Sequence, residues 1–469
     1  MTRKNLFQKK LHMTNMRYIL SILIIFVFLS PVKSQDVLKL EDVIKLTIEN
    51  NFDIQIAKNN EQVVKNNNNI GLVGGGQSTG GTVSGGSTGM LPQISVAAGS
   101  PQNPLGLGQT ITTLKYSNPA SDITGQKLTS TAYAPSIVGT WYIFDGLKMF
   151  ATKQKLNRAE ELSNIQYRET VENTLLTSLT TYFQMVSIEQ YITSLKTSLG
   201  LAEDQKKLAD QKLKAGAGSN VDVLQTQIDY NNIKVQIIQE QNLLNEQRIT
   251  LNSILKRPPD IDFTVPDTII IETKPEYTTA LANTDANNTA ILASKKSIEI
   301  DKLGLKEFKA NRFPKIGVTG NYSYQQTVND IGFQRLNQNY GYNAGFIFSW
   351  TILNNLTTNT AVKNQLIQIE SDNIRLEASV MQENATLYKS FLDFQNNLNI
   401  MDIEKQSITL ANQNLIIALQ RFKQGISNYI EYRTVEQSYE DAQFRMSQAA
   451  YNTKVSELTY LKEQGLLVH

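Results

Sequence analysis

Two long stretches of the chain share one pattern, sparse apolar positions interleaved with Asn, Gln, Ser and Thr. They run from about Gly146 to Leu213 and from about Asn355 to Phe422, without proline and with Gly200 as the lone interior glycine. Such spacing predicts helices with one packed seam and one wet face. Each stretch is about 68 residues, or roughly 100 Å at 1.5 Å per residue. A helix of that length cannot fold back on a globular core, so it implies a coiled-coil or tubular assembly. Each stretch ends at a glycine, Gly216 or Gly425, and a new helix starts at once. Ser219-x-x-Asp222 and Asn428-x-x-Glu431 read as caps for return arms over about 222–255 and 431–463. Each half of the chain is thus expected to contain a helical hairpin, with Gly216 and Gly425 in the two end turns. The return arms are half the outgoing length, so a further helix must complete each hairpin. In the first half that helix opens at Leu40-Glu-Asp-Val and ends near Asn51.

Ahead of each long helix the pattern changes from helical spacing to alternation. Tyr340, Tyr342, Ala344, Phe346, Phe348 and Trp350 share one face, while Gly341, Asn343, Gly345 and Ser349 take the other. Ile316, Val318, Tyr322 and Tyr324 alternate with Gly317, Thr319, Asn321 and Ser323. The first half matches more weakly, with Ile94, Val96 and Ala98 and then Tyr133, Ile137, Trp141 and Ile143. A period of two with aromatics at the ends is what strands of a membrane barrel show. The reading is four strands per chain. Four strands cannot close a barrel, for which about eight is the practical minimum. Three copies would supply twelve.

The two halves are repeats. Trp141-Tyr-Ile-Phe-Asp-Gly-Leu147 and Trp350-Thr-Ile-Leu-Asn-Asn-Leu356 are 209 residues apart, and so are Gly216 and Gly425. Further upstream, Ala57 aligns with Ala293. The expected organisation is a signal peptide over 1–34, a first repeat over 35–257, a proline-marked linker over 258–275 and a second repeat over 276–469. Residues 71–90 are rich in Gly, Ser and Thr and read as a flexible linker without a phosphate-binding pattern. The loop between the first two strands carries Pro101, Pro104 and Pro119, and is expected outside the cell.

Composition narrows the function. A basic start and the apolar run Tyr18–Leu29, about 12 residues, make a secretory signal rather than a spanning helix. Its removal takes six of the 45 basic residues (Arg3, Lys4, Lys9, Lys10, Arg17 and Lys33) and none of the 43 acids, leaving a net charge of −4. Bulk charge therefore does not suggest nucleic acid as a partner. There is no cysteine, and His12 leaves with the signal, so His469 is the last histidine. Disulfides, thiolate or histidine metal sites and histidine-based triads are excluded. No metal, cofactor or catalytic residue is expected, and the chain is read as no enzyme.

Taken in order, Leu40-Glu-Asp-Val, Glu49-Asn-Asn, Leu91-Pro, Trp141-x-x-Phe-Asp-Gly, Phe313-Pro and the Gly-x-x-x-x-x-[Asp/Glu] run at both hairpin ends resemble the TolC, or outer-membrane efflux protein, family. The resemblance spans nearly the whole mature chain. It implies an α+β membrane protein of a Gram-negative envelope, a homotrimer whose twelve-strand barrel sits in outer-membrane lipid. Its helical hairpins would form a coiled-coil tunnel, an α-barrel, in the periplasm. It also implies a channel for efflux or type I secretion that docks a periplasmic adaptor (membrane fusion) protein and an inner-membrane pump of the resistance-nodulation-division or ABC type. Drug, metal-ion and protein export share such a duct, and the sequence does not separate them. By the same resemblance the hairpin ends close the periplasmic entrance, and the positions facing the pore are Glu431, Thr434, Asp222 and Gln225. Trp141, Trp350, Tyr340, Tyr342, Phe346 and Phe348 are the barrel aromatics. Thr434 stands where a second acid is usual. The family's lock between hairpin ends uses a tyrosine and an arginine at positions held here by Phe422 and Ser427; Arg421, Lys423 or Arg433 could substitute, but solvated surface charges are the expected reading of all three.

Overall fold

The structure is a computed structural model and describes residues 36–71, 90–97, 108–116, 123–266, 268–329 and 335–467. The signal over 1–34, all but the ends of the glycine-rich stretch, and His469 lie outside these residues.

Helices dominate. In chain order they are α1 (Leu40–Asn50), α2 (Phe52–Gly71), α3 (Lys148–Lys214), α4 (Asn220–Ile254), α5 (Tyr277–Asn287), α6 (Thr289–Ala310), α7 (Thr357–Lys423) and α8 (Tyr429–Glu463). The two outgoing helices α3 and α7 are each 67 residues long, and the two return helices α4 and α8 are each 35. All four pairs of bounds are separated by 209 positions, the offset seen between the tryptophan motifs. Left-handed backbone recurs at the same spacing. Gly146 and Asn355, Leu147 and Leu356, Gly216 and Gly425, and Lys256 and Gly465 all have positive φ.

The shorter helices correct one alignment. Asn51 interrupts what would be one helix, its side chain accepting from the amides of Asp53 and Ile54. Asn288 does the same between α5 and α6, accepting from Ala290 and Ile291. Both bounds of α1 and the start of α2 therefore map onto α5 and α6 at 237 positions, α6 running two residues longer, and Ala57 corresponds to Ser294, not Ala293. A capping asparagine is a firmer register mark than one alanine on a helix face.

The strands are β1 (Asp36–Val37), β2 (Gln93–Ala97), β3 (Gly108–Tyr116), β4 (Ile123–Tyr133), β5 (Ser136–Phe144), β6 (Phe263–Thr264), β7 (Lys315–Asn329) and β8 (Leu336–Ser349). β1 and β6 make a short parallel pair. The other six form one sheet, where four strands were expected. The difference is that two of its four lanes are interrupted. β7 pairs with β5 along its first half and with β4 beyond Tyr324, whose amide bonds the carbonyl of Pro135 between them. β2 and β3 follow the far side of that lane, and β8 pairs with β7 along its whole length. Part of the long loop expected between the first two strands is thus the β3–β4 hairpin. Its Thr- and Ser-rich strands lack the apolar alternation that marks the other lanes.

The chain divides into two compact units. One comprises the described residues up to Lys45, Leu179–Ile269 and Leu410–Gln448; the other comprises Leu46–Ser178, Ile270–Thr409 and the described residues from Ala449. The second unit holds the six-stranded sheet and a core of Ala280, Leu387, Phe394 and Tyr460, with Tyr277 and Phe391 packed on it. There Glu457 accepts from the amides of Glu272 and Thr273, tying the linker to α8. The first unit holds the hairpin ends, and Leu195, Ala202, Ile233 and Ile237 pack α3 on α4. Among the described residues no helix is long and apolar enough to cross a membrane.

Asn288 also donates to Glu383 and to the Glu463 carbonyl. Asn288→Ala should therefore cost about 1–2 kcal/mol at the start of α6, the upper range for a lost cap. Hydrogen exchange at the Ala290 and Ile291 amides should accelerate correspondingly, and unchanged exchange would show that the cap is not holding the break.

Candidate functional site

Two places carry functional geometry, the sheet and the paired hairpin ends. In the sheet, cross-strand register puts Tyr342, Tyr322, Ile137 and Val96 in one row and Phe346, Val318 and Trp141 in another, all on one face. Among the described residues that face is uncovered, with Tyr342 88% and Phe346 90% exposed, and Tyr340 and Phe348 are likewise open. The opposite face carries Gly317, Thr319, Asn321 and Ser323 against Ile347, Gly345, Asn343 and Gly341. An apolar face without a covering layer beside a small polar face inverts the usual arrangement of a soluble sheet. The two tryptophans are placed alike. The Trp141 indole donates to the Met90 carbonyl and the Trp350 indole to the Arg312 carbonyl, each two residues before a proline. The acid of Trp141-x-x-Phe-Asp-Gly serves the helix that follows, since Asp145 is buried and accepts from the Met149 amide at the start of α3.

At the hairpin ends the backbone explains the glycines. Gly216 bonds back to the Leu213 carbonyl and Ala217 to Lys212; Gly425 bonds to Phe422 and Ile426 to Arg421. This is the Schellman pairing that terminates a helix through a left-handed residue, and φ is +74° at Gly216 and +72° at Gly425. A Cβ at either position would meet nothing within 4 Å, so the requirement is conformational and not one of space. The return helices then start on side-chain caps. Ser219 accepts from the Val221 amide, and Asn428 accepts from the Glu431 amide.

The sequence-predicted pore positions do not form one cluster. Glu431 is exposed, and its carboxylate lies 3.6 Å from the Arg421 guanidinium. The Thr434 hydroxyl donates to the Ile430 carbonyl. Asp222 sits in the first turn of α4, and Gln225 donates to Asp229.

What the structure brings together is a different face of the return helices, from the first turn of α8 to its third and two turns beyond Asp222 in α4. The Tyr429 hydroxyl donates to Asp229 at 2.7 Å, joining the second hairpin to the first. Arg433 lies 3.7 Å from Asp229, 2.9 Å from Glu436 and 3.3 Å from Glu440. Tyr432 donates to Glu436. Above this cluster the Phe422 ring stacks on Tyr432 at 5.5 Å and meets Tyr429 edge-on at 6.0 Å, and Lys212 of α3 sits 4.1 Å over its centroid. Burial raises the Glu436 and Glu440 carboxyls, and Arg433 only partly offsets it. Burial alone would lower the Arg433 guanidinium, but Glu440 and Glu436 outweigh it and hold it above its ordinary value. Sequence reasoning considered Arg433 only as a stand-in for the missing lock arginine and preferred to read it as a solvated surface charge, whereas the structure buries it among Asp229, Glu436 and Glu440; the other residues it passed over. Their spacing was nonetheless readable, since 429, 432, 433, 436 and 440 share one helical face on which apolar residues would be expected.

The chain thus combines an uncovered apolar sheet face, long helical hairpins and a twofold internal repeat. The sequence model of the outer membrane efflux protein family matches residues 85–255. No curated protein matches the chain by sequence. Among solved structures, the Campylobacter jejuni CmeC outer membrane channel is similar with a TM-score of 0.71 at 14% identity, over 91% of this chain and 86% of that one. The Vibrio cholerae outer membrane protein VceC gives 0.69 at 12% identity, over 91% and 96%. The open state of the Neisseria gonorrhoeae MtrE outer membrane channel gives 0.62 at 13% identity, over 91% and 89%. The resemblance to the outer-membrane efflux protein family is borne out, in sequence over part of the first half and in fold over nearly the whole chain.

Because the glycine requirement is one of backbone angle, Gly425→Asn should keep the end turn, as asparagine tolerates left-handed φ. Gly425→Val should fray it, and Gly200→Val, inside α3 with open space around it, should cost at most about 1 kcal/mol. Hydrogen exchange over residues 420–430 distinguishes these outcomes; equal protection in all three variants would remove the argument.

Proposed function

We propose that the mature chain is one protomer of a homotrimeric outer-membrane channel, the exit duct of a tripartite efflux or type I secretion system. The observation that carries this reading is the sheet. Its apolar face is exposed, its other face is small and polar, and its outer lanes, β8 and β2–β3, have a partner on one side only among the described residues. In lipid, unpaired edges are not tolerated, so other copies must pair them. Three copies of four lanes give a twelve-strand transmembrane barrel with its aromatics toward lipid. The repeats 35–257 and 276–469, joined by 258–275 and delivered by the signal over 1–34, would then give six hairpins. We place these in the periplasm as a coiled-coil tunnel, with the β3–β4 hairpin on the outer side. An adaptor and an inner-membrane pump of the resistance-nodulation-division or ABC type would feed the duct, which passes substrates without chemical change. Detergent-solubilised protein should scatter light as three chains. A stable monomer or dimer would falsify the closed-barrel reading.

Glu431 is the proposed constriction residue, three carboxylates converging around the trimer axis, with Thr434, Asp222 and Gln225 nearby. Arg421 beside it moderates the ring, so the expected cation preference is that of a partly neutralised site. Glu431→Gln should weaken cation selectivity in single-channel recording, and Arg421→Gln should strengthen it. If both leave selectivity unchanged while Asp222→Asn alters it, the constriction belongs to the first hairpin end.

A further inference from the structure

The buried cluster beneath the end turns has no assigned role in a passive duct. It spans two hairpins, because Asp229 comes from α4 while Tyr429, Arg433, Glu436 and Glu440 come from α8. Glu436 is 1% exposed and Glu440 8%. One guanidinium serves three carboxylates, so full ionisation leaves an excess of two negative charges shielded from water. Every hydroxyl and guanidinium contact in the cluster holds the second hairpin end on the first or holds α8 in the orientation that allows it. Pulling the ends apart would break the Tyr429–Asp229 bond and the Arg433–Asp229 pair. It would also lift Phe422 from beneath Lys212 and admit water to the carboxylates.

We propose that this cluster is a proton-tightened latch between the two hairpin ends of one chain, closed most firmly when Glu436 or Glu440 carries a proton. The latch rests on its own geometry; only its role in gating rests on the channel reading.

The charge count sets the direction. With all three acids ionised the closed state bears like-charge repulsion in a dry site, which opening relieves by hydration. A proton on one glutamate removes part of that repulsion only where the repulsion exists, in the closed state. Burial likewise raises both glutamates when closed, whereas hydration on opening would return them toward the ordinary carboxylate range. A raised carboxyl binds its proton more tightly in the closed state, so closure is favoured below that raised value and weakens as pH rises through it. The surrounding groups do not reverse this sign. From α3 come Ser198, which hydrogen-bonds Glu440, Gln205 beside Tyr432, Lys212 on the Phe422 ring, and Tyr191, which feels Glu440 and Asp441. From α4, besides Asp229, comes Glu240 near Tyr191. On α8 itself Asp441 adds negative charge that further raises Glu440. From α7, Arg421 is engaged with Glu431.

The chain has no cysteine, so two introduced thiols report without background. Spin labels at Ala217→Cys and Gln424→Cys, in full-length protein diluted with unlabelled chain, give the separation of the two ends by pulsed electron resonance. At pH 5.5 the wild-type distribution should be narrow. At pH 8.5 a longer-distance population should grow by roughly tenfold, within the usual range for coupling between a binding event and a conformational equilibrium. Glu436→Gln with Glu440→Gln leaves Arg433 matched to Asp229 and should be narrow at both values. Tyr429→Phe keeps the ring in the aromatic stack but loses the bond to Asp229, and should broaden the distribution at both.

A wild-type distribution that does not change with pH overturns the proton linkage, and a Tyr429→Phe distribution like wild type overturns the latch. Should the double variant fail to fold, Glu440→Gln alone must still reduce the pH response. Conductance is recorded separately: a pH-dependent separation without any channel activity would leave the latch standing and remove the channel reading.

Discussion

A backbone group in hydrocarbon that lacks a hydrogen-bond partner costs several kcal/mol, and among the described residues the outer lanes of the sheet, β8 and β2–β3, are paired on one side only. Among the described residues no layer covers its apolar face, where Tyr342, Phe346 and Phe348 are exposed. In the proposed trimer, lipid would cover that face and neighbouring copies would pair those edges. The proposed ring would need each copy to supply equivalent elements, and a chain built as two halves would double the number of equivalent hairpins. The identical helix bounds at 209 positions, and the four pairs of left-handed residues at the same spacing, fit that proposal. A one-residue insertion in either hairpin would rotate its seam by about 100°.

Backbone equivalence coexists with unequal chemistry. At the hairpin ends the second half carries Phe422, Tyr429, Tyr432 and Arg433, where the first carries Leu213, Asn220, Val223 and Leu224. The first half contributes the complementary partners, Asp229 and Lys212. Each half keeps its turn and its cap, and the side chains beyond them have diverged into two parts of one contact. The sheet shows the converse. Trp141 and Trp350 make the same bond to a carbonyl two residues before a proline, so the repeat is retained in side chains where the strands leave the preceding helix.

Features governed by local rules were legible in the sequence. The hairpin bounds, the end glycines and the Ser219 and Asn428 caps follow from helix periodicity and termination chemistry, which act over a few residues. The β3–β4 hairpin was not legible, because its Thr- and Ser-rich sequences show no apolar alternation to read. The sequence places the end of a helix near Asn51, whereas Asn51 lies between α1 and α2 and caps α2, and nothing in the run of Asn residues distinguishes the two roles. Arg433 was read as a solvated charge, and the cluster around it was not legible, for a different reason. Charged residues on a long polar helix ordinarily face solvent, and the signal that these do not is their coincidence with Tyr429 and Tyr432 on one face. That coincidence gains meaning only when Asp229, 200 residues earlier, is known to oppose it.

The departure at Phe422 and Ser427 fits the same account. A phenylalanine cannot donate a hydrogen bond, and a serine cannot supply a guanidinium. In this chain the hydroxyl comes from Tyr429 and the guanidinium from Arg433, and both meet Asp229, seven residues beyond Asp222. The polar contact between hairpin ends is therefore set deeper, where Phe422, with no polar group to satisfy, forms an apolar roof with Tyr432. That roof excludes water from the carboxylates below. Exclusion strengthens the Arg433 contacts and raises the cost of the two charges that Arg433 does not offset. An exposed contact of the same residues would be weak at any pH. Burial is what makes this one strong when the charge is balanced and unstable when it is not.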